Sequence, residues 1–208
     1  MTSSRPDNSD EHILSFWTWF CAVAADLAKD FENEPLLTEL DARVSAMGDI
    51  SWEIGPGAEK ECALTLSPDG SHDWFTLTQR AVAMAPELPA WEFHSARQKK
   101  EWELQFSMAV ADGRVVSVDA RPWRYVLLRF PDGSLEIIIE QSNLIGIDED
   151  SRYTAAVIVL DGILGEALRL LALKYITPVQ ALDSKESSKA NPMGVLADQL
   201  LRETDWSV

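Results

Sequence analysis

Cationic side chains are scarce in this chain. Its 208 residues include 34 Asp and Glu against 18 Lys and Arg, a formal charge of −16. The excess acid runs through both halves, and no basic tail offsets it. A nucleic-acid binder needs a positive footprint for phosphates, and none is present. An anionic membrane surface is disfavoured for the same reason. A basic protein partner would be attracted, although the same charge also serves to keep a protein in solution.

Cysteine is nearly absent. Cys21 and Cys62 form no CxxC pair, so neither a disulfide framework nor a thiolate metal site is expected. Both lie in apolar stretches, which reads as two buried free thiols. The three histidines, His12, His72 and His94, are far apart and no two have metal-ligand spacing, so no metal is expected. No apolar run approaches the ~20 residues of a membrane span. The opening MTSSRPDNSDEH lacks the apolar core of a signal peptide. A reducing cytoplasm is therefore the expected setting. There is also no GxSxG elbow, HExxH, P-loop or GxGxxG. These absences assign no catalytic residue and no cofactor.

What is present is strong periodicity. Residues 1–9 are polar and expected to be loose. Ile13, Phe16, Trp17, Phe20, Ala24, Leu27 and Phe31 recur at helical spacing and share one face of a helix over 10–31. Asn33-Glu34-Pro35 starts a second helix that ends at Gly48 and pairs with the first as a hairpin. Strands are predicted at 50–54, 62–66 and 91–95, with a helix capped by Ser71 before the last. The polar stretch 97–100 separates this half from the next. Alternation then predicts a long strand over 102–110, continued at Val116, Val118 and Ala120.

A hairpin follows, from 123–130 to 135–140. Matching apolar faces places Phe130 opposite Leu135 and Arg129 opposite Glu136, across a four-residue loop. A central helix from about Asp148 ends at Gly165. The run 167–176 reads as a buried strand, 184–191 as a flexible linker, and 195–201 as a closing helix. The expected fold is α+β, mostly antiparallel sheet with helices packed on it. It contains two strand-strand-helix-strand halves, 10–96 and 102–208, in one integrated domain.

Five residues stand out chemically. Glu92 and His94 share a strand face, where a carboxylate can tune an imidazole for acid–base work. The same alternation also describes an ordinary solvent-facing side. Asp161 and Glu166 interrupt the most apolar region at a helix end, where carboxylates are unfavourable without partners. At least one is expected to be buried against backbone amides or a base such as Arg124, Arg152 or Arg169. Trp19 lies about 200° around the helix from Trp17. It is therefore either covered by the second half or presented to a partner.

Three stretches, Phe16-Trp17-Thr18-Trp19-Phe20, Ala85-Pro86-Glu87-Leu88-Pro89-Ala90-Trp91-Glu92 and Leu160-Asp161-Gly162-Ile163-Leu164-Gly165-Glu166, resemble in order and spread a family of uncharacterised bacterial proteins. The resemblance implies a bacterial cytoplasmic origin and one integrated unit. It implies no activity, cofactor or catalytic residue. The expected function is a non-catalytic protein-binding or regulatory module, of immunity or antitoxin type, acting as monomer or homodimer on a basic partner. The opposing readings are a small hydrolase working through carboxylates and His94, and a structural subunit of a homo-oligomer.

Overall fold

The computed structural model describes residues 10–203. The expected loose segment 1–9 lies outside the described residues. The fold is α+β, with seven α-helices and nine strands in open, mostly antiparallel sheets among the described residues. The chain divides into two compact units, residues 1–97 and 98–208. The division falls inside the polar stretch 97–100.

In the first unit, α1 (Asp10–Lys29) and α2 (Glu34–Met47) pack as the expected hairpin. Asn33 caps α2 by accepting from the Leu36 amide, and Pro35 fits the first turn, where no amide donor is needed. A three-stranded sheet follows, built from β1 (Ser51–Pro56), β2 (Cys62–Ser67) and β3 (Trp91–His94) in the order β1-β2-β3. β1 and β2 are antiparallel. The helix α3 (His72–Ala83) then carries the chain across, so that β3 lies parallel to β2. One sheet face carries Ile54, Leu64, Leu66 and Phe93 onto α1, α2 and α3. Two indoles stitch this core. Trp17 donates to the Ala81 carbonyl of α3 at 2.8 Å, and Trp91 donates to the Ala24 carbonyl of α1 at 3.2 Å. Cys62 is buried as expected, but Cys21 lies on the exposed side of α1.

The second unit repeats the plan. β6 (Arg124–Arg129) and β7 (Leu135–Glu140) are antiparallel, α4 (Glu149–Leu164) and α5 (Glu166–Ala172) cross over, and β8 (Leu173–Val179) returns parallel to β7. A separate hairpin, β4 (Gln105–Ala109) with β5 (Val115–Asp119), precedes it. The two-residue strand β9 (Asn191–Pro192) pairs with β6, giving the order β8-β7-β6-β9. The remaining short helices are α6 (Ser184–Ser187) and α7 (Leu196–Glu203). Pro178 is tolerated in β8 because that strand is an edge.

Four expectations are corrected. The β6–β7 register is shifted by one: Arg129 faces Leu135 and Leu128 faces Glu136. The hairpin closes at Phe130 and Ser134 around Pro131-Asp132-Gly133, with Gly133 at φ +83°. Ala111-Asp112-Gly113 makes the same three-residue turn between β4 and β5. Face matching failed because this sheet is covered on both sides. Tyr125, Ile137 and Ile139 enter the main core, while Val126 and Ile138 pack against Leu182. With both faces apolar, the pattern no longer selects one register.

The run 167–172 is helix α5, not strand, because short apolar runs do not separate the two by periodicity. The expected linker 184–191 is ordered. Asp183 and Glu186 form a capping box on α6, and Arg124 reaches both Glu140 at 2.8 Å and Ser187 at 3.2 Å. Finally, β4 begins only at Gln105. Leu104 has φ +55°, which breaks the extended backbone, and the preceding segment lies on α4 instead. There the Lys100 amide donates to the Gly162 carbonyl at 2.8 Å, and the Trp102 indole packs against Gly162.

That contact is testable. A methyl at Gly162 would meet Cε2 and Nε1 of Trp102 at 2.6 and 2.7 Å. Gly162→Ala should therefore destabilise the protein by about 1–3 kcal/mol. It should do so although alanine is the better helix former by about 1 kcal/mol. In a Trp102→Leu background the same substitution should be neutral or stabilising. Thermal melts of the four proteins in this cycle decide the matter, and an equal loss in both backgrounds would clear Trp102 of responsibility.

Candidate functional site

Strand β3 is a four-residue edge bonded to β2 alone. Its alternation puts Glu92 and His94 on the side away from the helices, beside Ala63 and Thr65 of β2. The sequence placed these two residues together, and the structure does so. It also brings a third component that no side-chain pattern shows. The loop between β1 and β2 folds back so that the amides of Ala58, Glu59 and Lys60 each donate to the Glu92 carboxylate at 2.8 Å. His94 Nε2 lies 3.1 Å from Oε1 of the same carboxylate. The Glu92 side chain is only 10% exposed and that of His94 26%. Gly57 permits the closure: a methyl there would stand 2.5 Å from the Lys60 carbonyl and 3.0 Å from the Glu92 carboxyl carbon. In the sequence, Gly55-Pro56-Gly57 marks where this loop begins.

Burial pushes the Glu92 carboxyl up, but the Ala58 amide, His94, and the Glu59 and Lys60 amides together outweigh it and hold it down at about 2. A carboxylate so fixed orients His94, whose Nε2 donates to it. Among the described residues no hydroxyl or thiol is bonded to the other ring nitrogen. The pair thus has the base and its orienting group but no bonded nucleophile.

The other carboxylates form a second cluster, in the second unit. Asp161 closes α4, Gly165 turns the chain at φ +80°, and Glu166 opens α5. Asp161 is 8% exposed, Glu166 0% and Arg169 5%. Arg169 Nε donates to Asp161 Oδ1, and its Nη2 lies 3.4 Å from Oδ2 and 3.8 Å from Glu166 Oε1. This is the buried pairing expected for the motif, with Arg169 as the base. Burial at this helix junction makes it a packing element with no open face for a substrate.

Trp19 is half-buried, and what packs on it is α2 of its own unit. The Arg43 guanidinium stands 5.0 Å above its ring, steered by Glu39, which accepts from Nε at 2.9 Å and Nη2 at 2.6 Å. The i, i+4 spacing of Glu39 and Arg43 was legible; its target was not. Beside it His12, Ser15, Phe16, Arg43 and Ala46 line a cleft of about 80 Å³. Ligand pockets commonly run to roughly 300–1,000 Å³. Among the described residues no group of His, Cys, Asp and Glu is arranged to hold a metal ion, and no helix is long and apolar enough to cross a membrane.

No family model, characterised protein or solved structure matches this chain. The geometry therefore carries the functional reading alone. Trp17 and Trp91 donate across the first core, Glu92 closes the loop, and Asp161 meets Arg169. Each of the three stretches distinguished in the sequence thus contributes a buried polar lock.

Two outcomes follow. Glu92 ionises more easily folded than in its ordinary state near 4.5, so its stabilisation is complete above that pH and is lost as pH falls toward 2. The lost contribution is about 3 kcal/mol. Acid titration of stability should show this limb, and Glu92→Gln should flatten it; an unchanged limb would contradict the latch. In the second cluster, Arg169→Met leaves two buried carboxylates without their base and should cost roughly 3–5 kcal/mol. Differential scanning calorimetry should show a fall of at least about 6 °C; a silent substitution would mean the charges are not buried together.

Proposed function

We propose that this protein is a non-catalytic binding module whose acidic first unit receives a basic protein partner, in the manner of an immunity or antitoxin protein. The observation that supports this reading is a division among its carboxylates. Glu92, Asp161 and Glu166, which could have served as acids or bases, are engaged inside the fold. The net negative charge is concentrated in the first unit, because the second holds twelve of the eighteen basic side chains. Residues 1–97 contain seventeen Asp and Glu against six Lys and Arg, a net −11 of the total −16. Asp26, Asp30, Glu32, Glu34, Glu39 and Asp41 lie exposed along the α1–α2 hairpin. Such a field raises the encounter rate with a cationic surface and repels phosphate. The hydrolase reading would use His94 as a base oriented by Glu92, and among the described residues no nucleophile is bonded to that ring.

The test compares the wild-type chain with a variant carrying Asp26→Asn, Asp30→Asn, Glu32→Gln, Glu34→Gln and Asp41→Asn, at physiological salt. Wild type should retain a basic protein and show no affinity for duplex DNA. The variant, equally stable, should lose at least about tenfold in affinity for that protein, mostly in association rate. A partner indifferent to these substitutions would overturn the acidic-surface reading. Turnover on a hydrolase panel that disappears in His94→Ala would establish the enzyme instead.

A further inference from the structure

The loop that holds Glu92 has the architecture of an anion site. Three successive backbone amides converge on one point, the arrangement that forms anion-binding concavities in loops. They divide between the two oxygens: Ala58 and His94 serve Oε1, Glu59 and Lys60 serve Oε2. Two oxygens in one plane, each with two donors, match a carboxylate.

The loop also has supports that do not involve Glu92. The Gly57 amide donates to the Glu61 carbonyl at 3.3 Å, and Cys62 donates to the Ala90 carbonyl at 2.9 Å. Lys60 Nζ reaches the Leu88 carbonyl at 3.0 Å. The last β1–β2 pair, Pro56 with Cys62, clamps its base. The occupant arrives on the shortest strand of its sheet, an edge bonded on one side only.

We propose that the β1–β2 loop is a carboxylate receptor in its own right, and that Glu92 is its resident occupant, a plug held in place by the strap β3. The site takes a small carboxylate, with His94 as its side-chain donor. It is closed in the wild-type chain and opens when Glu92 is removed. The lowered pKa of Glu92 accords with this, since the same donors that hold the plug favour the anionic form. The inference is independent of the acidic-surface reading and goes beyond it: it concerns one loop and a ligand of opposite charge.

The probe is sodium formate, added to Glu92→Ala. Formate should raise the melting temperature of this variant by several degrees, saturating with concentration as binding to the native state requires. Sodium chloride at equal ionic strength should not, and neither salt should distinguish itself on the wild type. The amide resonances of Ala58, Glu59 and Lys60 should move in the same titration. Inorganic phosphate should act less than formate. A variant no more responsive than wild type, unmoved loop amides, or phosphate acting more strongly would each overturn the proposal. Should Glu92→Ala not fold, Glu92→Gln keeps the volume and removes the charge. Hydrogen exchange at the three loop amides should then accelerate about tenfold or more while Leu64 and Leu66 stay protected. Unchanged protection of those amides would overturn the proposal equally.

Discussion

The carboxylate of Glu92 rests on three backbone amides, and much of the first unit's polar sheet face is arranged around keeping it there. The loop can close only because Gly57 has no side chain. The four-residue edge strand β3 gains, beyond its pairing with β2, the bonds of its second residue to the β1–β2 loop. His94 takes its orientation from the same group. A buried carboxylate without such donors would be protonated or expelled. With them it stays ionised and ties the hairpin loop to β3.

The second unit solves a similar problem with a different device. It has the same progression of antiparallel pair, helical crossover and parallel return. Its crossover is broken at Gly165 into two helices, and the break exposes a helix end to the core. Asp161, Glu166 and Arg169 meet there, and the charges partner one another. Such an arrangement specifies how α4 and α5 meet more than it adds to stability, because apolar residues of similar volume would serve about as well energetically. In both units, residues that read as candidate chemistry hold joints of the fold.

Much of this was legible in the sequence. The helical stripe of Ile13, Phe16, Trp17, Phe20 and Leu27, the caps at Asn33, Ser71 and Asp148, and the α+β class follow from periodicity and local capping chemistry. These depend on neighbours within a few positions, so sequence order alone determines them. The pairing of Glu92 with His94 follows from strand alternation, and the need of Asp161 for a base follows from its apolar setting. The rest was decided by contacts between residues distant in the chain. The β6–β7 register depends on a second apolar layer around Leu182, which alternation within two strands cannot register. Helix α5 and strand β8 divide one apolar run because β7 offers a parallel edge only from Leu173 onward. The loop amides beneath Glu92 belong to residues 32 to 34 positions away and carry no side-chain signature. Backbone donors are the same at every residue except proline, so only the folded chain shows where they converge.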